Sequence, residues 1–508
     1  MRAPFYMVAT RIQPLITLSR YCFAIASSLV TLLLTIACVC VPPPAGAQSP
    51  LRPTGAGDQY WQGLIGSPGI NSNVHALFQA PNGDIYIGGD FTGAGGQANK
   101  IARWDGTNWQ AVGGGLTNRV FAFLTLPNGD LLAGGDFLNA GGNPDADYLA
   151  RWNGTQWLPM GITSSGYGIN GPVRCLALDR NGDLLVAGSF ENAGSSSNLN
   201  TWRIARWDGT TWQAVGTGLR GNSSGCSSSN YCGVYAMTIA SNGDIIVGGA
   251  FSDGGGNPQA DNIARWDGST WQAYGSGLNN SVRTLALTAT GELVVGGEFT
   301  ASNGSTPTAL NSIARWNGTL WSALGPGAPQ NLADVRALTI ARNGDIIFGS
   351  SFANAGGAPN TRCIARWNGT SIQALGTGLD NTTGPQVLAL ATLRNGDILV
   401  GGNFAFVGDR SLTTGRVARY RESLIPLATT SRRNSAVSSV YPNPAHEQIS
   451  VSYPPGLPCI RLLDACGRLQ RTVATVAGAS EARVSLAGLP AGIYYVQLGT
   501  TRHKLAVH

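Results

Sequence analysis

A carboxylate-bearing, glycine-rich segment recurs along the chain and is the first candidate for chemistry. The stretch "PNGDIYIGGDF", from Pro81 to Phe91, is a typical copy. Its Asn-Gly-Asp triplet begins at positions 82, 128, 181, 242, 343 and 395, and Thr290-Gly291-Glu292 is a seventh, variant copy. Glycines beside a carboxylate occur in calcium loops, in phosphate-binding loops and next to catalytic acids.

Calcium and phosphate binding each lack a necessary part. Calcium needs about six to eight oxygen ligands, and each copy supplies a single carboxylate. The Gly-Gly pair is not followed by Gly-Lys-Ser/Thr or by a helix start, as a phosphate loop would be. We therefore predict that the Asp stabilises a turn and that the glycines let neighbouring sheets approach closely. We expect neither a metal nor a cofactor.

Residues suited to nucleophilic or general-base catalysis are scarce. Between residues 57 and 422 there is one His, His75, and one Lys, Lys100. His75 lies in an apolar strand pattern, where we expect a buried, hydrogen-bonded histidine. We assign no catalytic residue. Paired carboxylates for acid–base chemistry remain an alternative among four loop residues, namely Asp145, Asp147, Asp253 and Asp261.

These residues belong to a unit of about fifty residues that is repeated seven times. Besides the triplet, each unit contains Ala-Arg-Trp and, six residues after the Arg, a closing Trp. The Arg-Trp pairs are Arg103-Trp104, Arg151-Trp152, Arg206-Trp207, Arg265-Trp266, Arg315-Trp316 and Arg366-Trp367, with Arg419-Tyr420 as a weaker seventh. The closing residues are Trp61, Trp109, Trp157, Trp212, Trp271, Trp321 and, in the same place, Ile372.

Both residues of the Arg-Trp pair are predicted to be structural. We expect the Trp to fill the interface between neighbouring sheets and the Arg to hydrogen-bond turn carbonyls or stack on an aromatic ring. A ring of arginines that binds an anionic sugar is the alternative, but seven equivalent positions at a fixed spacing favour a scaffold.

Four strands per unit follow from the apolar pattern of period two. Strand a precedes the Asn-Gly turn, for which both central residues are expected to have positive φ. Strand b carries Gly-Gly, strand c carries Ala-Arg-Trp, and strand d carries the closing Trp. Seven such units predict an all-β fold, a seven-bladed β-propeller. Because Trp61 has no earlier strands and Arg419 no later ones, the N-terminal strand should complete the last blade.

The variable spacings locate the functional face. The a–b and c–d turns have a fixed length, whereas the b–c and d–a connections differ in length from unit to unit and leave the blades on the opposite face. Function usually lies in such loops. Three aromatic residues of these connections, Tyr167, Trp202 and Tyr231, are the predicted ligand-binding residues, since exposed rings can stack on a sugar or hold a peptide.

The N-terminus predicts an exported protein. Basic residues precede an apolar stretch near 21–41, and Ala45-Gly46-Ala47 is a signal-peptidase site, so residues 1–47 are interpreted as a signal peptide. An uncleaved membrane anchor is the alternative, because the apolar stretch is long enough to span a bilayer. The remaining chain holds 30 basic and 27 acidic residues, which argues against nucleic-acid binding. We expect a monomer with no membrane span.

A disulfide is expected in one loop, because export permits it. Cys226 and Cys232 lie in "GCSSSNYCG" and are the predicted pair. Cys459 and Cys466 are expected at opposite ends of one strand and should not pair.

The last seventy residues or so resemble a known targeting domain. Tyr441-Pro442-Asn443-Pro444, then Asp464 with Gly467 and Arg468, then "LAGLPAGIYYVQL" with Gly492 and Tyr494, resemble the type A C-terminal sorting domain of the type IX secretion system of Bacteroidetes. The resemblance implies an Ig-like β-sandwich, the type IX machinery as partner, export through the periplasm, and removal of this domain. The repeats resemble kelch-like and delta-60-type propellers, a likeness that concerns the fold and not an activity.

The predicted organisation is a signal peptide (1–47), a short segment (48–56), the propeller (57–422), a linker (423–438) and the sorting domain (439–508). We expect a secreted or cell-surface protein that binds a glycan or a protein through its variable face. A polysaccharide hydrolase or lyase and a purely structural surface protein remain alternatives.

Overall fold

The computed structural model describes most of the chain from residue 57 onward. The described residues are 57–63, 70–96, 98–161, 168–194, 200–219, 232–324, 334–381, 384–408, 410, 412–422, 440–441, 445–452, 459–465, 468–475, 481–498 and 501–507. The predicted signal peptide and linker lie outside these ranges. No helix in the described ranges is long and apolar enough to cross a membrane.

Seven four-stranded antiparallel sheets form the blades of a propeller, as predicted. The first strand is β1 (Trp61–Gly63). Blade 1 consists of β2 (Val74–Gln79), β3 (Ile85–Gly89), β4 (Ile101–Trp104) and β5 (Trp109–Ala111), and blade 2 of β6 (Val120–Thr125), β7 (Leu131–Gly135), β8 (Leu149–Trp152) and β9 (Trp157–Pro159). Blade 3 consists of β10 (Val173–Leu178), β11 (Leu184–Gly188), β12 (Ile204–Trp207) and β13 (Trp212–Ala214). Blade 4 consists of β14 (Gly233–Ile239), β15 (Ile245–Ala250), β16 (Ile263–Trp266) and β17 (Trp271–Ala273), and blade 5 of β18 (Val282–Leu287), β19 (Leu293–Gly297), β20 (Ile313–Trp316) and β21 (Trp321–Ala323). Blade 6 consists of β22 (Ala337–Ile340), β23 (Ile346–Gly349), β24 (Ile364–Trp367) and β25 (Ile372–Gln373).

The seventh blade joins the two ends of the repeat region. Its strands are β27 (Gln386–Thr392), β28 (Ile398–Asn403), β31 (Val417–Tyr420) and, from the N-terminus, β1. Trp61 lies opposite Tyr420 and Gln62 opposite Arg419, which confirms the predicted closure. Three short strands beside it, β26 (Leu379–Asp380), β29 (Phe406–Val407) and β30 (Leu412–Thr413), form a small separate sheet.

The connections of the variable face contain short helical turns and one recurring backbone feature. Three b–c connections contain 3₁₀ helices, Ala140–Gly142, Gly254–Gly256 and Ala355–Gly357, and a fourth, Asp58–Tyr60, directly precedes β1. The residue before strand c has a left-handed φ of 61° to 74° in all seven blades, although it is never glycine: Lys100, Tyr148, Arg203, Asn262, Ser312, Cys363 and Arg416. Such a position costs about 1 kcal/mol or more for a non-glycine residue, so the surrounding ladder must hold it in place.

The Asn-Gly turn differs from the predicted type. In blade 1 the Gly83 N–H donates to the Ala80 carbonyl (2.9 Å) and the Ala80 N–H donates to the Asp84 carbonyl (2.8 Å). Gly83 has a φ of 98°, but Asn82 does not have a positive φ, so the expectation that both residues do was wrong. This is a three-residue hairpin loop with a type I turn and a left-handed glycine. Asp84 stabilises it as predicted, since its carboxylate accepts from Asn82 Nδ2 (2.8 Å).

The repeated arginine has a partner that the sequence did not suggest. Each Ala-Arg-Trp arginine pairs with a carboxylate at the a–b hairpin of its own blade, and not with turn carbonyls or an aromatic ring. The pairs are Arg103–Asp84 (3.0 Å), Arg151–Asp130 (3.2 Å), Arg206–Asp179 (3.3 Å), Arg265–Asp244 (3.2 Å), Arg315–Glu292 (3.9 Å), Arg366–Asp345 (3.3 Å) and Arg419–Asp397 (2.6 Å). Strands b and c are therefore held together at the fixed-turn face of every blade.

Tryptophans and glycines form the contacts between blades. In five blades the strand-c and strand-d tryptophan rings lie 5.2 to 5.5 Å apart, centroid to centroid. Indole N–H groups reach the preceding blade, as Trp321 Nε1 donates to the Tyr274 carbonyl at 3.0 Å. The first glycine of the pair lies against the next blade, because a Cβ on Gly88 would be 2.7 Å from the Val120 Cβ. Both roles agree with the predictions.

The C-terminal region contains two antiparallel sheets. One has β32 (Val440–Tyr441), β33 (Gln448–Ser452) and β36 (Glu481–Ser485), and the other has β34 (Cys459–Asp464), β35 (Leu469–Ala474), β37 (Gly492–Leu498) and β38 (Thr501–Val507). Apolar residues of both sheets form one buried cluster, which includes Ile449, Val484, Leu462 and Val496. The result is a small β-sandwich.

Candidate functional site

The innermost strands of all seven blades surround an axial channel. Strand a of each blade contacts strand a of both neighbours, so that β2, β6, β10, β14, β18, β22 and β27 close a ring. The cavity inside the ring measures about 290 Å³, and its lining comes from every blade. The lining residues lie in the first half of strand a, next to the d–a connections, so the cavity opens toward the variable face.

One position of strand a supplies most of the chemistry in this channel. A fully buried valine lies at or within two residues of the start of every strand a, in order Val74, Val120, Val173, Val234, Val282, Val335 and Val387. The residue after this valine lines the channel and is one of five types, with arginine in three blades: His75, Phe121, Arg174, Tyr235, Arg283, Arg336 and Leu388. We call these seven residues the channel ring.

The backbone explains why the channel ring can vary. In six blades the a–b register shifts at this residue, as between Val74 and Ala76, so His75 has no partner on strand b. A β-bulge of this kind redirects a side chain away from the regular alternation of the strand. The scaffold therefore needs the valine, while the bulged residue is free to differ.

Cations and aromatic rings alternate on one side of the channel ring. The Arg174 guanidinium carbon lies 4.6 Å from the Phe121 ring centroid and 5.2 Å from that of Tyr235. The Arg283 carbon lies 4.4 Å from the same Tyr235 ring. On the other side of Phe121, the His75 ring is edge-on at 5.8 Å. These distances fit cation–π contacts, which orient the guanidinium planes.

Most basic side chains at the channel mouth have an acidic partner. The pairs are His75–Asp90 (2.9 Å), Arg119–Asp136 (2.7 Å), Arg283–Glu298 (2.7 Å) and Arg336–Asp334 (2.5 Å). Asp90 also accepts from Asn73 Nδ2 at 3.1 Å. Although burial alone would raise it, the pKa of Asp90 is lowered overall, because the His75 and Asn73 hydrogen bonds and the Arg119 charge favour the carboxylate.

Arg174 is the exception. Within the described residues it forms no salt bridge, and its polar contact is a long hydrogen bond from Nε to Ser189 Oγ (3.5 Å). In the sequence of blades 3 and 4, the stretches 162–167, 195–199 and 220–231, which lie outside the described residues, contain no Asp or Glu. Burial lowers the pKa of the Arg174 guanidinium. A buried cation without a carboxylate is unfavourable unless another group compensates it.

A larger cavity, of about 620 Å³, lies between blades 4 and 5 on the fixed-turn face. Its polar lining includes Asp244 with Arg265, and Glu292, all of which belong to the interstrand pairs described above. Since these groups already have structural partners, the channel is the stronger candidate site.

The predicted ligand-binding aromatics are only partly described. Trp202 is half-buried in the b–c connection of blade 3, with its backbone carbonyl accepting from the Leu219 N–H at 2.9 Å. Tyr167 and Tyr231 lie outside the described residues. Their role as ligand contacts stays a prediction.

Two of the four loop carboxylates have hydrogen-bond partners within their own loops. Asp147 accepts from the Asn139 N–H (2.7 Å), and Asp261 accepts from the Asp253 N–H (3.0 Å) and from Asn303 Nδ2 (3.0 Å). Asp145 is exposed. These residues organise their own loops. Within the described ranges, no three His, Cys, Asp or Glu side chains are placed to hold a metal ion.

The predicted cysteine pairings are only partly described. Cys232 is buried and disulfide-bonded, and its predicted partner Cys226 lies outside the described residues. Cys459 is a free thiol at the start of its strand, while Cys466 is not described. Burial raises the pKa of the free Cys175 and Cys363 thiols to about 12, so neither is a nucleophile.

The sorting-motif residues lie at strand ends of the sandwich. Tyr441 ends β32, and Gly492 begins β37. Asp464 accepts from the Arg468 N–H at 2.9 Å across the turn after β34, and Tyr494 Oη donates to the Pro490 carbonyl at 2.9 Å. Pro442, Asn443, Pro444 and Gly467 lie outside the described residues.

Sequence reasoning did not find the channel ring. The available signal was the contrast at the start of strand a, where an unvarying valine precedes a residue that changes from His to Phe, Arg, Tyr and Leu. Inner strands of a closed ring leave little room, and large charged residues there indicate a special position.

Two family models match parts of the chain. A secretion system C-terminal sorting domain matches residues 439–507, and a β-propeller domain of unknown function, DUF5122, matches residues 80–104. Both resemblances drawn from the sequence are thereby confirmed. No curated protein matches the chain in sequence.

Solved structures show distant likeness. PorZ, a surface component of the type IX secretion system of Porphyromonas gingivalis, is 15% identical over 87% of this chain and 60% of that one, with a TM-score of 0.39. The extracellular domain of BT4673 from B. thetaiotaomicron is 12% identical over 87% and 52%, with a TM-score of 0.45. The WD40 propeller domain of Doa1 is 14% identical over 71% and 96%, with a TM-score of 0.41. The chain thus spans 60% and 52% of the first two, and we infer nothing about ligands from them.

The sorting domain determines the location of the protein. A chain that carries this C-terminal domain is directed to the type IX secretion machinery, and it is exported to the cell surface or secreted.

Proposed function

We propose that the exported propeller is a binding protein whose ligand, a glycan or a protein segment, is reached through the variable face at the axial channel. The observation that carries this proposal is the channel ring. The seven structurally equivalent positions carry five different residue types, and one of them, Arg174, has no acidic partner among the described residues. A scaffold position would repeat, as the strand-c arginine does.

Trp202, Tyr167 and Tyr231 belong to the same proposal. All three are in connections of the variable face, so they would add stacking contacts around a ligand that enters the channel. We further propose that residues 1–47 and the domain from residue 439 onward are removed during export, which leaves the propeller as the mature protein. Mass spectrometry of the exported protein tests this, and peptides from beyond Tyr441 in the mature form would contradict it.

The experiment for binding is a glycan and peptide array probed with the exported protein. We expect binding that Tyr235→Ala weakens and that the fixed-turn variant Arg265→Ala leaves unchanged. Trp202→Ala should weaken binding less than Tyr235→Ala, because Trp202 does not line the channel.

Three other outcomes would overturn the proposal. Turnover of a polysaccharide would make the protein an enzyme. Binding that depends on Arg265 and not on Tyr235 would move the site to the fixed-turn face. No binding at all, with a folded protein, would favour a structural surface role.

A further inference from the structure

We propose that Arg174 forms a carboxylate subsite in the axial channel, and that the group it holds is a terminal hexuronic acid of a glycan. This inference rests on the proposed function and names the ligand chemistry of the same site. Three features carry it: the uncompensated cation, the orientation of its guanidinium, and the acidic groups around it.

Arg174 has no acidic partner among the described residues, so an anionic group of a ligand would stabilise it. Arg174 emerges from blade 3 into a cavity of about 290 Å³, and its long bond to Ser189 leaves the terminal nitrogens of its guanidinium without a bonded carboxylate among the described residues. The other three arginines at the channel mouth and His75 each have one. A ligand carboxylate would therefore give Arg174 the kind of acidic partner that the other basic side chains already have.

The orientation of Arg174 favours a planar anion. Phe121 comes from blade 2 and Tyr235 from blade 4, so rings from both neighbouring blades lie against this side chain. Contacts of this kind do not use the N–H donors of a guanidinium, which stay available for an anion. Two parallel N–H groups at the edge of a guanidinium match the two oxygens of a carboxylate.

The acidic groups restrict the ligand to one negative charge. Asp90, Asp136, Glu298 and Asp334 lie around the same mouth, and they would repel a phosphate dianion or a polyanionic stretch. The same carboxylates could accept hydrogen bonds from the hydroxyl groups of a sugar. A single carboxylate on a hydroxyl-rich ring meets both conditions, and the cavity is at the small end of ligand sites, which suits one terminal sugar residue.

The test is isothermal titration of the exported protein with D-glucuronate and D-galacturonate. D-glucuronamide serves as a neutral ligand of the same shape, and peptides with a free or an amidated C-terminus form a separate arm. We expect a hexuronate to bind at least about tenfold more tightly than glucuronamide, since hydrogen bonds between charged groups have about that effect.

Variants identify the residue. Arg174→Met should abolish the preference for hexuronate, and Arg174→Lys should restore only part of it because lysine lacks the paired donors. Arg265→Met, at a repeated arginine of the fixed-turn face, should keep the preference. Thermal unfolding of each variant verifies that it is folded.

Several results would overturn the subsite. These are equal binding of glucuronate and glucuronamide, an undiminished preference in Arg174→Met, or binding of the free C-terminal peptide in place of the hexuronates. In each of those cases array binding through the channel ring would survive, so the proposed function would stand. Absence of binding to every glycan and peptide would instead overturn the proposed function, and this subsite with it.

Discussion

Two sets of seven equivalent positions behave in opposite ways. The strand-c arginine is the same residue in every blade, and each copy pairs with an acid of the same blade at the fixed-turn face. The channel-ring position varies from His75 to Leu388 and lies near the variable face. The first set recurs because every blade must solve the same folding problem. The channel-ring position varies although the blades share one fold, which indicates that a requirement other than folding determines its residue type.

The comparison separates residues by their expected effects. Changes at repeated positions should lower stability and leave binding intact in any variant that still folds. Changes at the channel ring should alter binding with little loss of stability. Each of the following variants tests one side of that separation.

The largest effect is expected at the repeated closing tryptophan of the last blade. Trp61 is 5% exposed, its Nε1 donates to the Leu375 carbonyl at 3.0 Å, and its ring lies 4.9 Å from that of Tyr420. Trp61→Ala should lower the free energy of unfolding by about 4 kcal/mol, because it weakens the strand that closes the ring. Urea unfolding followed by circular dichroism measures this.

A matched control for Trp61 lies in the c–d turn of blade 5. Leu320 is 66% exposed, and Leu320→Ala should leave the unfolding midpoint nearly unchanged. A loss in Trp61→Ala as small as that of the control would mean that the N-terminal strand does not close the propeller.

The next effect concerns the repeated salt bridge. Asp397 is fully buried and binds Arg419 Nε at 2.6 Å. Asp397→Ala should cost about 3 kcal/mol, because it leaves a largely buried guanidinium without its partner. Asp244→Ala is the control, since its partner Arg265 is 41% exposed and the expected cost is about 1 kcal/mol or less. Equal costs would show that burial does not decide the strength of these pairs.

The third prediction compares a repeated strand-c arginine, Arg206, with a channel-ring arginine, Arg174. Arg206 is a repeated arginine bound to Asp179 at 3.3 Å, whereas Arg174 has no acidic partner among the described residues. Arg206→Met should lower stability by about 1 kcal/mol, because Asp179 loses its cation. Arg174→Met should leave the unfolding midpoint unchanged or raise it slightly, because a half-buried cation without an acidic partner is replaced by an apolar chain that can still contact Phe121 and Tyr235.

Differential scanning calorimetry of both methionine variants measures the difference. A clear loss of stability in Arg174→Met would contradict the separation, since Arg174 would then be a scaffold residue like Arg206.

The repeat made most of the fold predictable. Blade number, strand order and the closure of Trp61 with the Arg419 strand follow from signatures that occur seven times, because turn chemistry and apolar alternation are local properties. The turn type was wrong because Asn-Gly also occurs in the three-residue loop, in which only Gly83 takes a left-handed φ. The partner of Arg103 was missed since Asp84 is nineteen residues earlier and meets it only when strands b and c pair.

The candidate site was less predictable for a physical reason. The channel ring brings together residues as distant in sequence as His75 and Leu388, and a β-bulge directs them inward. Period-two alternation assumes a regular strand and assigns such residues to the wrong face. The search for function in long loops therefore found Trp202 and overlooked Arg174.

The smallest effect concerns the pH dependence of the channel mouth. The pKa of Asp90 is held below its usual range mainly by His75 and Asn73, against the effect of burial. Arg119 faces the same carboxylate, and Lys100 Nζ donates to the Asp90 backbone carbonyl. A group with a lowered pKa in the folded state adds stability above its unfolded pKa, near about 3.9. That stability disappears as the pH falls through the folded value. Asp90→Asn should therefore cost less than about 1 kcal/mol at pH 5, with the difference from the unchanged protein shrinking toward pH 2. Melting temperatures at pH 5, 4, 3 and 2 test this, and a difference that grows as the pH falls would show that Asp90 is not stabilised as a carboxylate by these neighbours.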